Sequence, residues 1–140
     1  MPNNIKGDQE VQAITWEQVR MHALDLALWI RDTSPEKQVT LYGIPRGGTI
    51  PAVMIAYMLE NEGMNVRLAQ ALDHLTPNEF RNLIVIDDIC DSGDTFKVIQ
   101  QIAPTARTVT LFHRSTAAFT PNYHSDCLYT NTWLQFPWEC

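Results

Sequence analysis

The sequence predicts an α/β protein: a mostly parallel, twisted sheet flanked by helices. Three observations carry that prediction. Short β-branched or aromatic runs alternate with segments of helical period. One run, Leu83-Ile84-Val85-Ile86, is continuously apolar, as a strand covered on both faces must be. Glycine-containing turns, Pro45-Arg46-Gly47-Gly48 and Ser92-Gly93-Asp94-Thr95, follow two of the runs and lead into helical segments.

Taken in order, residues 1–12 are polar and read as a flexible arm. Thr15 to Gln18 has capping-box spacing, and Val19, Ala23, Leu26, Ala27 and Ile30 recur at helical period, which predicts a helix over 15–31 ended by Ser34-Pro35. Val39 to Ile44 is a strand, and the helix after its turn, about 51–60, starts on Pro51 and closes at Gly63. A weaker strand covers 65–71, and 73–82 shows no period and reads as loop. Leu83–Ile86 is the central strand, a helix spans about 92–103, and Arg107 to His113 alternates as a strand. Residues 127–130 give a last possible strand, and one domain over 13–140 accommodates all of these elements.

Composition narrows function. The 140 residues are 45% hydrophobic and carry a formal charge of −6, with ten basic against sixteen acidic groups. That composition supports a packed core but supplies no basic stripe for nucleic acid. No run is long and apolar enough to span a membrane. Cys90, Cys127 and Cys140 form an odd set without Cys-x-x-Cys spacing, which predicts reduced thiols and a cytoplasmic location.

The chemistry concentrates in Asp87-Asp88-Ile89-Cys90-Asp91-Ser92-Gly93-Asp94-Thr95. A buried strand delivers two carboxylates to the sheet edge, a third follows, and small hydroxyls with helix-start amides suit a phosphate. Carboxylates suit sugar hydroxyls or magnesium, and three clustered acids call for a cation or donors. An EF-hand fails because Ile89 and Ser92 occupy its third and sixth positions, and no Gly-Lys-Ser/Thr of a Walker loop occurs. His22, His74 and His124 lack partners at metal-ligand spacing, whereas His113, beside Arg114 at a strand end, is a candidate for the pocket wall.

This segment resembles the ribosyl-diphosphate motif of type I phosphoribosyltransferases. Together with Ile14-Thr15-Trp16, Pro45-Arg46-Gly47-Gly48 and Asn131 to Trp138, it is similar to the bacterial xanthine-guanine phosphoribosyltransferases over about residues 14–139. The resemblance implies transfer of a 5-phosphoribosyl group from phosphoribosyl diphosphate to a 6-oxopurine, releasing pyrophosphate, with Mg2+ as cofactor. It implies that Asp87 and Asp88 engage ribose hydroxyls and metal, and that Asp91 is the acid or base facing the purine. Ser92, Gly93, Asp94 and Thr95 would hold the 5-phosphate, and Arg46, Gly47 and Gly48 the pyrophosphate, with a cis peptide at Pro45–Arg46. Trp133 would stack on the base, Leu134 would offer it a backbone contact, and Arg114 would donate to its exocyclic oxygen. Trp138 is read as packing. A homo-oligomer, dimer or tetramer, is expected from apolar residues on the helices at 15–31 and 51–60 and from the family's habit.

Three departures from the family pattern stand out. The loop at Leu72–Asn82 that would close over the centre is shortened, Asp94 replaces a commoner glycine or lysine, and Arg114 replaces a lysine. A shortened lid leaves open a second function, a non-catalytic nucleotide or phosphoribosyl-diphosphate sensor.

Overall fold

The computed structural model describes residues 9–139. Expectations for residues 1–8 and for Cys140 lie outside the described residues. Strand β1 (Val11–Ala13) takes in Val11 and Gln12, expected from the sequence to lie in a flexible arm, because it pairs with a distant strand. Helix α1 (Trp16–Asp32) follows its capping box: Thr15 Oγ1 accepts from the Gln18 amide at 3.1 Å, and Gln18 Oε1 accepts from the Thr15 amide at 2.8 Å. Two orphan donors are thereby satisfied at the helix start. The predicted stripe, Val19, Ala23, Leu26, Ala27 and Ile30, is its buried face.

Then come β2 (Gln38–Gly43), α2 (Thr49–Asn61), β3 (Asn65–Ala69) and a five-residue helix α3 (Pro77–Arg81). Helix α3 corrects the reading of 73–82 as loop. Thr76 and Glu79 form a second capping box with Pro77 at the first turn, a signal too short to show a period. Strand β4 (Leu83–Cys90) runs four residues past the apolar stretch, α4 (Asp94–Ile102) starts after a left-handed Gly93, and β5 is Arg107–Arg114. Strand β6 (Tyr123–Leu128) lies earlier than the expected 127–130, and β7 (Trp133–Gln135) pairs with β1 in a separate two-stranded sheet.

The main sheet has the order β3-β2-β4-β5-β6, and every pair is parallel. Helices cover both faces. On one, Leu26 and Ile30 of α1 and Ile55 and Leu59 of α2 pack with Ile84, Ile86, Val109 and Leu111; on the other, Phe96 and Ile99 of α4 pack with Leu83, Val85 and Ile44. Each large side chain so buried contributes about 1.5–3 kcal/mol. Successive connections lead outward from β2 to β3, then back to β4 on the other side of β2. The sheet's topological switch point therefore lies between the carboxyl ends of β2 and β4, where open α/β sheets bind ligands.

Candidate active site

The loop after β2, Pro45–Gly48, and the acidic end of β4 meet at that switch point. The Ile44 amide donates to Ile86 O at 2.8 Å, and a side chain at Gly48 would strike Ile86 O. A methyl group at Gly47 would come within 2.6 Å of the Asp88 carboxyl carbon. Only glycine lets the loop backbone lie against the acids this closely. The Pro45–Arg46 peptide is cis, as the resemblance implies, and Arg46 is exposed.

Face alternation slips where the acids sit. Ile84 and Ile86 face the α1/α2 core and Leu83 and Val85 the α4 core, yet Ile89 packs on the first and Cys90 on the second. Strict alternation would reverse Ile89 and Cys90. Strand β5 slips in step, since Phe112 joins Val109 and Leu111 on one core. The acids themselves occupy ladder donors here: Asp87 Oδ1 accepts from the Asp88 amide at 2.9 Å, and Asp88 Oδ1 from the Ile89 amide at 2.7 Å.

Burial, and next the charge of Asp88, push the Asp87 carboxyl up to about 9. Burial also raises Asp88, with the Glu139 carboxylate adding to the rise. Two half-buried carboxylates short of positive charge, each with one oxygen committed to an amide, are a hard-oxygen set suited to a divalent cation. Among the described residues no group of three or more His, Cys, Asp or Glu side chains forms a metal cluster. Magnesium fits such a pair, because it commonly takes one or two carboxylates and completes its shell with water and ligand oxygens. Burial pushes the Cys90 thiol up to about 11, so it stays protonated and is no nucleophile.

Beyond the pair, Asp87 and the residues from Ile89 to Phe96 line a concavity of about 100 Å³. Gly93 has φ +91, and Phe119 packs where its side chain would be. Ser92 Oγ accepts from the Asp94 amide at 3.2 Å, and Asp94 and Thr95 are exposed at the first turn of α4. Asp91 is half exposed, but its Oδ1 accepts from Arg114 Nε at 2.6 Å. The Arg114 side chain is 10% exposed, and its two other nitrogens donate to Thr130 O at 2.7 Å and Thr132 O at 2.9 Å. Three of its five N–H groups are thus spent on the protein, a pairing that residue type and spacing do not signal.

Trp133 stands beside that loop, its amide donating to Glu10 O at 2.7 Å, and the neighbouring Leu134 is buried. Trp138 is packing, as expected: it stacks on Phe136 at 5.0 Å and lies 5.9 Å from Trp16. His113 is buried rather than lining the cleft, with Nε2 3.1 Å from Phe119 O and its ring on His124. His22 meets Ser125 Oγ at 2.7 Å, and exposed His74 meets Asp73 at 3.3 Å. The segment expected to form a lid is folded against the protein. Leu72, Leu75 and Phe80 pack on the α4-side core, Glu79 pairs with Arg67, and Thr40 Oγ1 donates to Asn82 Oδ1 at 2.8 Å.

A parallel sheet thus brings an acidic pair, a glycine loop and a helix start together at its switch point, the place where open α/β sheets bind ligands. The particular fold is that of the type I phosphoribosyltransferases. The chain is similar to the purine phosphoribosyltransferase from Pyrococcus horikoshii Ot3, with 22% identity over 94% of this chain and 95% of that one and a TM-score of 0.76. It is similar to the Helicobacter pylori xanthine-guanine-hypoxanthine phosphoribosyltransferase, at 18% identity, 94% and 93% coverage and a TM-score of 0.67. A hypothetical protein from Neisseria gonorrhoeae with bound ppGpp matches at 18% identity, 96% and 92% coverage and a TM-score of 0.77. No protein-family model matches the chain. Among the described residues no helix is long and apolar enough to cross a membrane.

Proposed function

We propose that this protein transfers the 5-phosphoribosyl group of phosphoribosyl diphosphate to a 6-oxopurine, guanine, xanthine or hypoxanthine, in purine salvage. The observation that carries the reading is the contact of Gly47 with the Asp88 carboxylate at the switch point, which sets a pyrophosphate-type loop against a pair of acids. In the reaction the bond from the ribose anomeric carbon to pyrophosphate breaks, and a bond to the purine nitrogen forms. Positive charge grows on the ribose ring, beside Asp87 and Asp88. Negative charge grows on the leaving group, beside the Arg46 guanidinium and the loop amides. The Gly48 amide is taken by Ile44 O at 2.8 Å, so the amides of Arg46 and Gly47 are the donors available to the ligand. Asp91 takes the proton that the purine imidazole ring loses. Magnesium, held by Asp87 and Asp88, would supply neutralisation of the diphosphate charge. The α4 start, Ser92 to Thr95, receives the 5-phosphate, Trp133 the base face, and the remaining Arg114 N–H groups the exocyclic oxygen.

A second reading, a nucleotide sensor, is favoured by the folded-down 72–82 segment and by the likeness to the ppGpp-bound Neisseria protein. Incubation with phosphoribosyl diphosphate, Mg2+ and each of guanine, xanthine, hypoxanthine and adenine separates the two. Nucleotide and pyrophosphate formed with the 6-oxopurines and not with adenine support the transferase; nucleotide binding without turnover supports the sensor. The working form is proposed to be a dimer or tetramer, supported by exposed Trp16, Met21 and Leu24 on α1 and Tyr57 on α2. A monomer mass by light scattering at micromolar concentration would contradict it.

A further inference from the structure

We propose that Arg114, beyond offering its remaining N–H groups to the exocyclic oxygen, is a positioning residue that sets the spacing between the proton-accepting carboxylate and the base-stacking loop. The inference rests on the purine-transfer reading and deepens it. The Nε edge of the guanidinium holds Asp91 Oδ1 at 2.6 Å, while the outer fork holds Thr130 O at 2.7 Å and Thr132 O at 2.9 Å. One rigid plane thus joins the turn after β4, the end of β5 and the segment leading into Trp133. The carbonyls lie two residues apart in a stretch closed on itself, since Thr130 Oγ1 donates to Thr132 Oγ1 at 2.9 Å. At 10% side-chain exposure the guanidinium is shielded from water, and its ion pair and two carbonyls supply the donor satisfaction that burial demands.

Two consequences follow for the site. Asp91 presents to the purine the oxygen that Arg114 does not hold, Oδ2. The distance from that oxygen to the Trp133 platform is fixed by a planar group and not by a flexible chain. A misplacement of about 1 Å at a reacting centre costs roughly 10²-fold in rate. Lysine at this position would carry the same charge on a single nitrogen, so it would hold Asp91 or the carbonyls but not all three acceptors around the plane.

The test compares Arg114→Lys and Asp91→Asn in the full chain. Arg114→Lys keeps a cation able to donate to the exocyclic oxygen but loses the planar bridge. It is therefore expected to lower kcat about 10²-fold and to raise KM for the purine about 10–100-fold, with GMP binding weakened by a similar factor in calorimetry and KM for phosphoribosyl diphosphate within about twofold. Asp91→Asn removes the charge and basicity of a half-exposed carboxylate, while its amide oxygen can still accept from Arg114 and the Arg114 bonds to the loop remain. It is therefore expected to lower kcat with purine KM changed less than about threefold. Equal weakening of both substrates by Arg114→Lys, or wild-type values for both, overturns the role. A purine KM that rises as far in Asp91→Asn as in Arg114→Lys overturns it as well. Wild type that neither turns over nor binds any purine nucleotide refutes the transfer reading itself, and the positioning role with it.

Discussion

Gly47 and Asp88 are packed so closely that one methyl group on the glycine would lie 2.6 Å from the carboxyl carbon. Gly47→Ala must therefore turn the carboxylate away and break its 2.7 Å bond to the Ile89 amide. It is expected to lower kcat/KM for phosphoribosyl diphosphate by about 10²-fold or more, at a stability cost of roughly 1–3 kcal/mol from overpacking. Gly63→Ala is the contrasting control. Gly63 has φ +81 and open space around it, so that change should cost about 1 kcal/mol in a thermal melt and leave kinetics alone. Equal kinetic losses in the two variants would refute the argument.

Asp87 makes the metal-free fold pH-sensitive. Its carboxyl is raised to about 9 by burial first and the Asp88 charge second, from an ordinary value of 3.8. The folded protein keeps a proton there that the unfolded chain has released, so this group costs stability increasingly as pH climbs from about 4 toward 9. Asn cannot ionise. With chelator present, Asp87→Asn is expected to melt several degrees above wild type at pH 8, at about 2–4 °C per kcal/mol relieved, and to lose that advantage near pH 4. An advantage of equal size at both pH values would contradict this. The same variant should lose the stabilisation that magnesium gives the wild type.

Much of this arrangement was legible in the sequence because its signals are local. The capping box at Thr15, the apolar run at Leu83–Ile86 and the glycines after β2 each dictate structure within a few residues. The acidic pair, the Arg46 loop and the α4 start met because the order β3-β2-β4 brings two strand ends together. What was missed depends on distance or brevity. Helix α3 is shorter than two helical turns, so no period betrays it, although Thr76-Pro77-Asn78-Glu79 carries the cap. The Arg114–Asp91 pair joins residues 23 apart in the chain, and β1 depends on β7 for its partner, more than a hundred residues away. His113 was ambiguous because a strand end places a residue near the cleft without deciding which way its ring turns.

The 76–82 segment is expected to stay put when substrates bind. Its amides are already committed, Phe80 N to Thr76 O at 3.0 Å and Asn82 N to Asn78 O at 3.2 Å, and Phe80 is packed on the α4-side core. Hydrogen exchange with phosphoribosyl diphosphate and Mg2+ should slow at 46–48 and 92–95 and change less than about twofold at 78–82. Slowing of tenfold or more at 78–82 would make it a closing lid. Thr76→Ala should cost about 1 kcal/mol by removing the cap.

Trp133→Ala should weaken every purine by a similar factor. The backbone position of Trp133 does not depend on the indole, because its amide bonds to Glu10 O at 2.7 Å and β7 runs in register with β1 from Val11 to Ala13. Removing the ring also orphans no partner, since the buried Nε1 has no hydrogen-bond acceptor among the described residues. What is lost is a π-face, and stacking contributes about 1–3 kcal/mol with little preference between bases. That corresponds to roughly 5–150-fold in affinity. Guanine, xanthine and hypoxanthine should therefore all lose affinity together, while discrimination against adenine, which rests on hydrogen-bond donors, persists. Competition binding of the four bases to wild type and Trp133→Ala measures both quantities. If the three oxopurines diverge by more than about tenfold in the variant, or adenine gains ground, Trp133 is choosing among bases rather than holding them.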